Sequence, residues 1–226
     1  MRAGTIPPTI SSRRPRGRAR ARRGWIRTIL SALLSLSVLT GATGPDPLPV
    51  PQTEKEAREI AAIKAALMYK FVKFVEWPAT RFAERTSPIV VGVIGKDPFG
   101  TILDQTFAGK EHDKRPFVVR RYEKVEDISA CHILFVAQSE KKQLERIAGA
   151  VQGRSVLLVG DWPDFATLGG IVNFYLESTR NDDGTESVKV KFEINADEAK
   201  AQKIKISSQL LKLARPVKKK GQEGEE

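Results

Sequence analysis

Six consecutive apolar residues, Ile89-Val-Val-Gly-Val-Ile94, five of them β-branched, lead into Gly95-Lys-Asp-Pro-Phe-Gly100 and then into Ile102, Leu103 and Phe107 at helical spacing. A β-branched run of strand length without polar alternation reads as a strand covered on both faces. Strand, glycine turn and helix in that order open a parallel βαβ unit. The pattern recurs: Pro116–Tyr122 supplies a second strand, His132–Val136 a third and Ser155–Val159 a fourth. Between the last two, Leu144, Ile147 and Val151 line one face of a helix that Ser139 is expected to cap and Gly153 to end. Alternation of this kind gives an open sheet with helices on both faces.

The final third changes character. Ile171–Glu177 and Val188–Ile194 flank the polar loop Asn181–Gly184, and Val188, Val190, Phe192 and Ile194 alternate with polar residues, as in a half-exposed antiparallel strand. Asn195 and Glu198 form an N-cap pair, and Ser207 or Ser208 caps a short helix bearing Leu210, Leu211, Leu213 and Ala214. Ahead of the sheet, Ile60, Ile63, Leu67, Phe71 and Phe74 recur at three-and-four spacing, flanked by Met68, Val72 and Val75. The spacing predicts a helix from near Thr53 to Trp77, stopped by Pro78 and buried on two sides. The expected fold is α/β: a single three-layer Rossmann-like domain over residues 53–217, with a mostly parallel sheet and a C-terminal antiparallel hairpin.

Net charge first suggests nucleic acid as a partner, and its distribution removes that suggestion. Of the formal charge of +11, nine units come from arginines within residues 1–42, a segment without Asp or Glu, so the body carries +2. Such a body has no basic excess for phosphate attraction, and no nucleic-acid partner is expected. Those arginines precede the apolar run Ile29–Leu39 and then Thr40-Gly-Ala42, the three parts of a secretory signal peptide cleaved after Ala42. The apolar run is eleven residues long, short of the roughly 20 a permanent anchor needs. Arg22-Arg23-Gly-Trp-Ile-Arg27 resembles a twin-arginine signal, so Sec and Tat routes are both open. Residues 43–52, rich in proline, read as an extended tether, and 218–226 as a disordered charged tail.

Catalytic chemistry is not evident. His112 sits in a charged loop. His132 adjoins Cys131, but neighbours on a strand point to opposite faces and cannot form a nucleophile and base pair. Cys131 is the only cysteine, so no internal disulfide forms. No zinc spacing, phosphate-loop ending or dinucleotide fingerprint is present, and no cofactor or metal is expected. An open α/β sheet nonetheless places a crevice beyond the carboxyl ends of its strands, where Lys96, Asp97, Ser139, Glu140, Asp161 and Trp162 are the candidate ligand-binding residues. Asp97 and Pro98 also suit the N-cap and first position of a helix. Phe71, Phe74, Trp77 and Phe82 are the candidate partner-binding anchors, to the extent that they stay exposed.

Six blocks in order carry a family resemblance: Lys64–Pro78 with its Lys-Phe-Val-Glu-Trp-Pro ending, Val91-Gly-Val-Ile-Gly-Lys-Asp-Pro-Phe-Gly100, Cys131-His-Ile-Leu-Phe-Val136, Gly169-Gly-Ile-Val-Asn-Phe174, Val190-Lys-Phe-Glu-Ile-Asn195 and Ile206–Ala214. Across about residues 60–217 the chain resembles the YfiR family of exported bacterial proteins. The resemblance implies a periplasmic, non-enzymatic regulator. Its namesake restrains an inner-membrane diguanylate cyclase by binding that enzyme's periplasmic sensor domain, which lowers cyclic-di-GMP signalling. The expected partner is therefore a membrane diguanylate cyclase or sensor kinase, with a homodimer as a further possibility. The namesake is linked to disulfide chemistry, for which Cys131 has no internal partner. The competing expectation is a periplasmic small-ligand-binding protein that uses the strand-end crevice.

Overall fold

Thr53 opens the first ordered element with a reciprocal cap. Its hydroxyl accepts from the Glu56 N–H at 3.1 Å, and the Glu56 carboxylate accepts from the Thr53 N–H at 3.1 Å. A computed structural model describes residues 53–181 and 183–217. The expected signal peptide, tether and charged tail lie outside the described residues.

Helix α1 spans Glu54–Phe71. It is shorter than its apolar spacing predicts, because Val72–Phe74 tighten into a 3₁₀ turn and Val75–Glu76 leave as strand β1. Pro78 therefore does not end it. The β-branched Val72 and Val75 are mediocre helix formers. Strand β9 (Lys205–Ile206) gives β1 an antiparallel partner, and the Ser207 N–H donates to the Phe74 carbonyl at 2.9 Å. The phase of the helix also differs from expectation. Ala61, Lys64, Ala65, Met68 and Phe71 are buried, whereas Ile63 is 46 % exposed. Two alanines let the helix backbone approach the sheet, so the small residues mark the contact line and the larger Ile63 lies off it.

The main sheet is assembled from β2 (Ile89–Ile94), β3 (Glu111–His112), β4 (Arg115–Tyr122), β5 (Ile133–Val136), β6 (Leu157–Gly160), β7 (Val172–Arg180), β8 (Glu186–Ile194) and β10 (Arg215–Pro216). Its order is β10-β8-β7-β6-β5-β2-β4-β3. Strands β4, β2, β5, β6 and β7 run parallel, while β8 returns antiparallel to β7 from Arg180↔Glu186 to Val172↔Ile194. Helices α2 (Thr101–Phe107), α3 (Leu144–Val151), α4 (Ala196–Ala201) and α5 (Ser208–Leu213) complete the domain. This is a three-layer α/β architecture with a mostly parallel sheet and a C-terminal antiparallel hairpin.

The two-residue period of the strands separates two cores. Val91, Val93, Ile133, Phe135, Leu157 and Val159 pack with α1 and α2 on one face. Val90, Ile94, Leu134, Val136 and Leu158 pack with Leu144, Ile147 and Val151 of α3 on the other. Gly92 leaves room for a ring from the neighbouring strand, since a Cβ there would lie 2.6 Å from the Tyr122 side chain of β4.

Two expected caps move. Gly100, at φ 51°, is the N-cap of α2, while the Asp97 carboxylate accepts from the Phe99 N–H within the loop. Ser139 lies inside a 3₁₀ segment, Gln138–Gln143, and α3 starts only at Leu144. Asn195 and Ser207 cap α4 and α5 as their spacing predicts, accepting from the Glu198 and Leu210 N–H groups.

Candidate functional site

Strands β2, β5 and β6 end at one rim of the sheet, and beyond that rim lies a crevice of about 880 Å³, within the size range of small-molecule sites. Its walls include Ile60 and Lys64 of α1, Phe99 after β2, Asp161 after β6, and Asn173 and Tyr175 of β7. The Lys64 ammonium donates to the Asp161 carboxylate at 2.7 Å, with the side chains only 11 % and 16 % exposed. A second polar group follows strand register. Asn173 faces Glu193 across the hairpin and Glu193 faces Arg215 across the next pair. The Asn173 amide donates to Glu193 Oε1 at 2.9 Å, and Arg215 donates to Glu193 Oε2 at 2.7 Å while lying 3.9 Å over the Tyr175 ring. Because the carboxylate can only accept, the Asn173 amide nitrogen must face it.

Of the residues singled out from the sequence, Asp161 and Trp162 line this crevice. Trp162 is 1 % exposed, and its indole packs edge-on against Phe165 with centroids 4.6 Å apart, so little of it can meet a ligand. The other four form a loop clamp away from the crevice walls. The Lys96 N–H donates to Ser139 Oγ at 2.9 Å, Ser139 donates to Glu140 at 3.0 Å, and Asp97 accepts from Arg121 at 2.8 Å. Arg121 also bridges Asp104, and this pairing lowers the Asp104 carboxyl below its ordinary range and raises the guanidinium. These contacts tie the loop after β2 to the segment after β5 and to β4, a structural task.

Of the aromatic candidates, Trp77 and Phe82 lie at the opposite rim, against His132 at the start of β5, whereas Phe71 packs on Phe174, a wall residue of the crevice. Phe71 is 1 % exposed, stacked on Phe174 and edge-on to Phe192, so it is core and unavailable to a partner. Phe74, Trp77 and Phe82 are half-buried. Phe82 stacks on His132 with centroids 4.6 Å apart, Trp77 meets the same imidazole edge-on at 6.0 Å, and the Arg115 guanidinium covers the outer face of Phe82 at 3.7 Å. His132 Nδ1 accepts from the Val90 N–H at 3.0 Å. Burial, reinforced by Arg81 and Arg115, pushes the His132 pKa down to about 4. Cys131 beside it is fully buried, and desolvation pushes its thiol up to about 11, which leaves no thiolate at neutral pH. No group of three or more metal-ligating side chains occurs among the described residues.

The sequence model of the YfiR/HmsC-like family matches residues 61–215, from the buried turn of α1 to the first residue of β10. The chain belongs to the YfiR/HmsC-like family. A comparison with curated proteins returned no match. The span of the family match includes both rims: the clamp and the Asn173–Glu193–Arg215 row at one, the Trp77–Phe82–His132 stack at the other. Among the described residues, no helix of this YfiR/HmsC-like chain is long and apolar enough to cross a membrane.

The crevice residues that sequence reasoning missed are Lys64, Asn173, Glu193 and Arg215. Lys64 had a readable signal, a lone charge among Ala61, Ala65 and Met68 on the face that turns inward. Asn173 and Glu193 lie next to apolar strand residues, and their pairing follows only from the register of the hairpin.

Proposed function

We propose that the chain is a periplasmic, non-enzymatic regulator that docks on the periplasmic sensor domain of an inner-membrane diguanylate cyclase and holds that enzyme inactive. Membership of the YfiR/HmsC-like family over residues 61–215 is the observation that carries this reading. Residues 1–42, with their arginines, apolar run and small-residue ending, would deliver the domain to the periplasm. A protein that makes no covalent change to its target can silence it only by binding one state more tightly than another. Moving a receptor from mostly active to mostly inactive takes a preference of about 5 kcal/mol, a demand that desolvated aromatic contacts can meet. Trp77 and Phe82, half-buried on either side of the 3₁₀ turn Ala79–Arg81 and close to Arg81 and Arg115, offer such contacts.

Deleting the chain from its host is expected to raise cellular cyclic-di-GMP. The wild-type chain should restore the low level, and a Trp77→Ala/Phe82→Ala double variant present at equal abundance in the periplasm should not. An unchanged cyclic-di-GMP level on deletion would sink the proposal.

A further inference from the structure

Asn173 is 3 % exposed, yet its Oδ1 has no hydrogen-bond partner among the described residues. The nitrogen end of its amide is committed to Glu193 at 2.9 Å, and its neighbour on β6, Gly160, has no side chain to offer. The oxygen is left to the crevice that Asn173 lines. A buried acceptor without a donor is costly and rare, so one in the wall of a cavity marks a place where a donor arrives from outside. Asp161, in the same crevice, adds to the excess of acceptors. Its Oδ2 accepts from Lys64, whereas its Oδ1 accepts from nothing among the described residues.

The charges of the crevice set the sign of the ligand. Lys64 is paired with Asp161 and Arg215 with Glu193, while the carboxylate of Asp164, also in the wall, is in no ion pair among the described residues. With two cations against three carboxylates, an entering anion would shed its water and find no unpaired positive charge. A donor head, neutral or positive, finds acceptors instead.

Around these polar groups the walls are mostly carbon, with Ile60 of α1, Phe99, Phe174 and Leu176 among them. At about 880 Å³ the space is far larger than a single bridging water occupies, roughly 30 Å³. Water held against such walls is readily displaced by apolar surface.

We propose that the crevice binds a small molecule with an N–H donor head, a primary amide or an ammonium, on an apolar body. The head donates to Asn173 Oδ1, and the body lies against Ile60, Phe99 and Leu176. Molecules of the same shape with a carboxylate head are rejected. The site lies at the rim opposite Trp77 and Phe82, and it does not rest on the docking reading.

The test is a titration of the 15N-labelled chain with three probes of one shape, octanamide, octylammonium and octanoate, followed by the backbone amide signals of Asn173 and Leu176. The amide, the ammonium or both are expected to move these signals saturably. Octanoate should bind about tenfold more weakly or less, the difference that one hydrogen bond to a buried acceptor makes. Binding by the amide alone assigns a neutral ligand, and by the ammonium alone a cationic one. Ile60→Trp, which fills the crevice from α1 and leaves its polar groups in place, should abolish binding. Asn173→Leu should weaken the better probe about tenfold and leave octanoate unchanged; if that variant does not fold, Ile60→Trp carries the test. Trp77→Ala/Phe82→Ala should bind the probes as wild type does. Saturable binding by neither the amide nor the ammonium overturns the site, even if the chain still represses a cyclase. Octanoate binding as tightly as the better of the other two, or binding undiminished in Ile60→Trp, does so too.

Discussion

Replacing Lys64 with methionine should destabilise the domain by about 3 kcal/mol, because Asp161 would keep a nearly buried carboxylate with no opposing charge. The value is placed at the low end for a broken buried pair, since both side chains border the crevice and water can reach them in part. The pair itself has little net worth once both desolvation costs are counted. Converting both members, Lys64→Met with Asp161→Leu, should therefore recover most of the loss. Urea unfolding of the three proteins measures this directly. Equal stability of wild type and Lys64→Met would mean that the ion pair is solvated in solution, and a double variant as unstable as the single one would mean that packing, not charge, was lost.

Acidification should act chiefly through His132 in a window that can be named. Its ordinary pKa of 6.5 falls to about 4 in the folded chain, through burial first and then through Arg81 and Arg115. A base whose native pKa is depressed keeps its full stabilising contribution above 6.5, loses it as pH falls from 6.5 towards 4, and loses no more below that. At 1.36 kcal/mol per pKa unit the loss is on the order of 3 kcal/mol. Physically, protonating Nδ1 removes the acceptor for the Val90 N–H and places a third positive charge beside Arg81 and Arg115. The Asp104 carboxyl, lowered by its hydrogen bond from Arg121, adds a loss that begins only near its ordinary 3.8, so the two windows separate. His132→Asn retains a neutral acceptor at the Nδ1 position. Stability of this variant should stay nearly flat from pH 6.5 to 4.5, where the wild type falls. Parallel slopes for the two proteins would remove His132 as the titrating group.

The parts of the fold legible in the sequence are those whose burial imposes a period. The β2 strand, apolar on both faces, announces a sheet interior, and the alternation Val190, Phe192, Ile194 announces a return strand with one wet side. Strands of two residues, such as β1, β9 and β10, have no period to read, and their existence depends on partners distant in the chain. Large residues dominate the apolar spacing of α1 and hide its phase: Ala61 and Ala65 are buried, whereas Ile63 is exposed. Ser139 and Asp97 have the residue types of helix caps, but tertiary partners, the Lys96 N–H and Arg121, engage their side chains instead. The strand-end rule located the crevice through Asp161. It could not supply Glu193 and Arg215, whose meeting is a matter of sheet order. Trp77 and Phe82 are visible in the sequence as aromatic residues, whereas the hydrogen bond that His132 Nδ1 accepts from the Val90 N–H depends on the backbone of β2 and is not.

The most direct measurement of the docking claim is the affinity of the chain for the periplasmic sensor domain of the membrane protein that crosslinks to it in intact cells. A wild-type complex is expected to form reversibly with that domain, and Trp77→Ala/Phe82→Ala to weaken it by about thirtyfold or more, as loss of an aromatic hot spot does. Binding of equal strength by the folded double variant, or recovery of no membrane protein at all, would contradict the account.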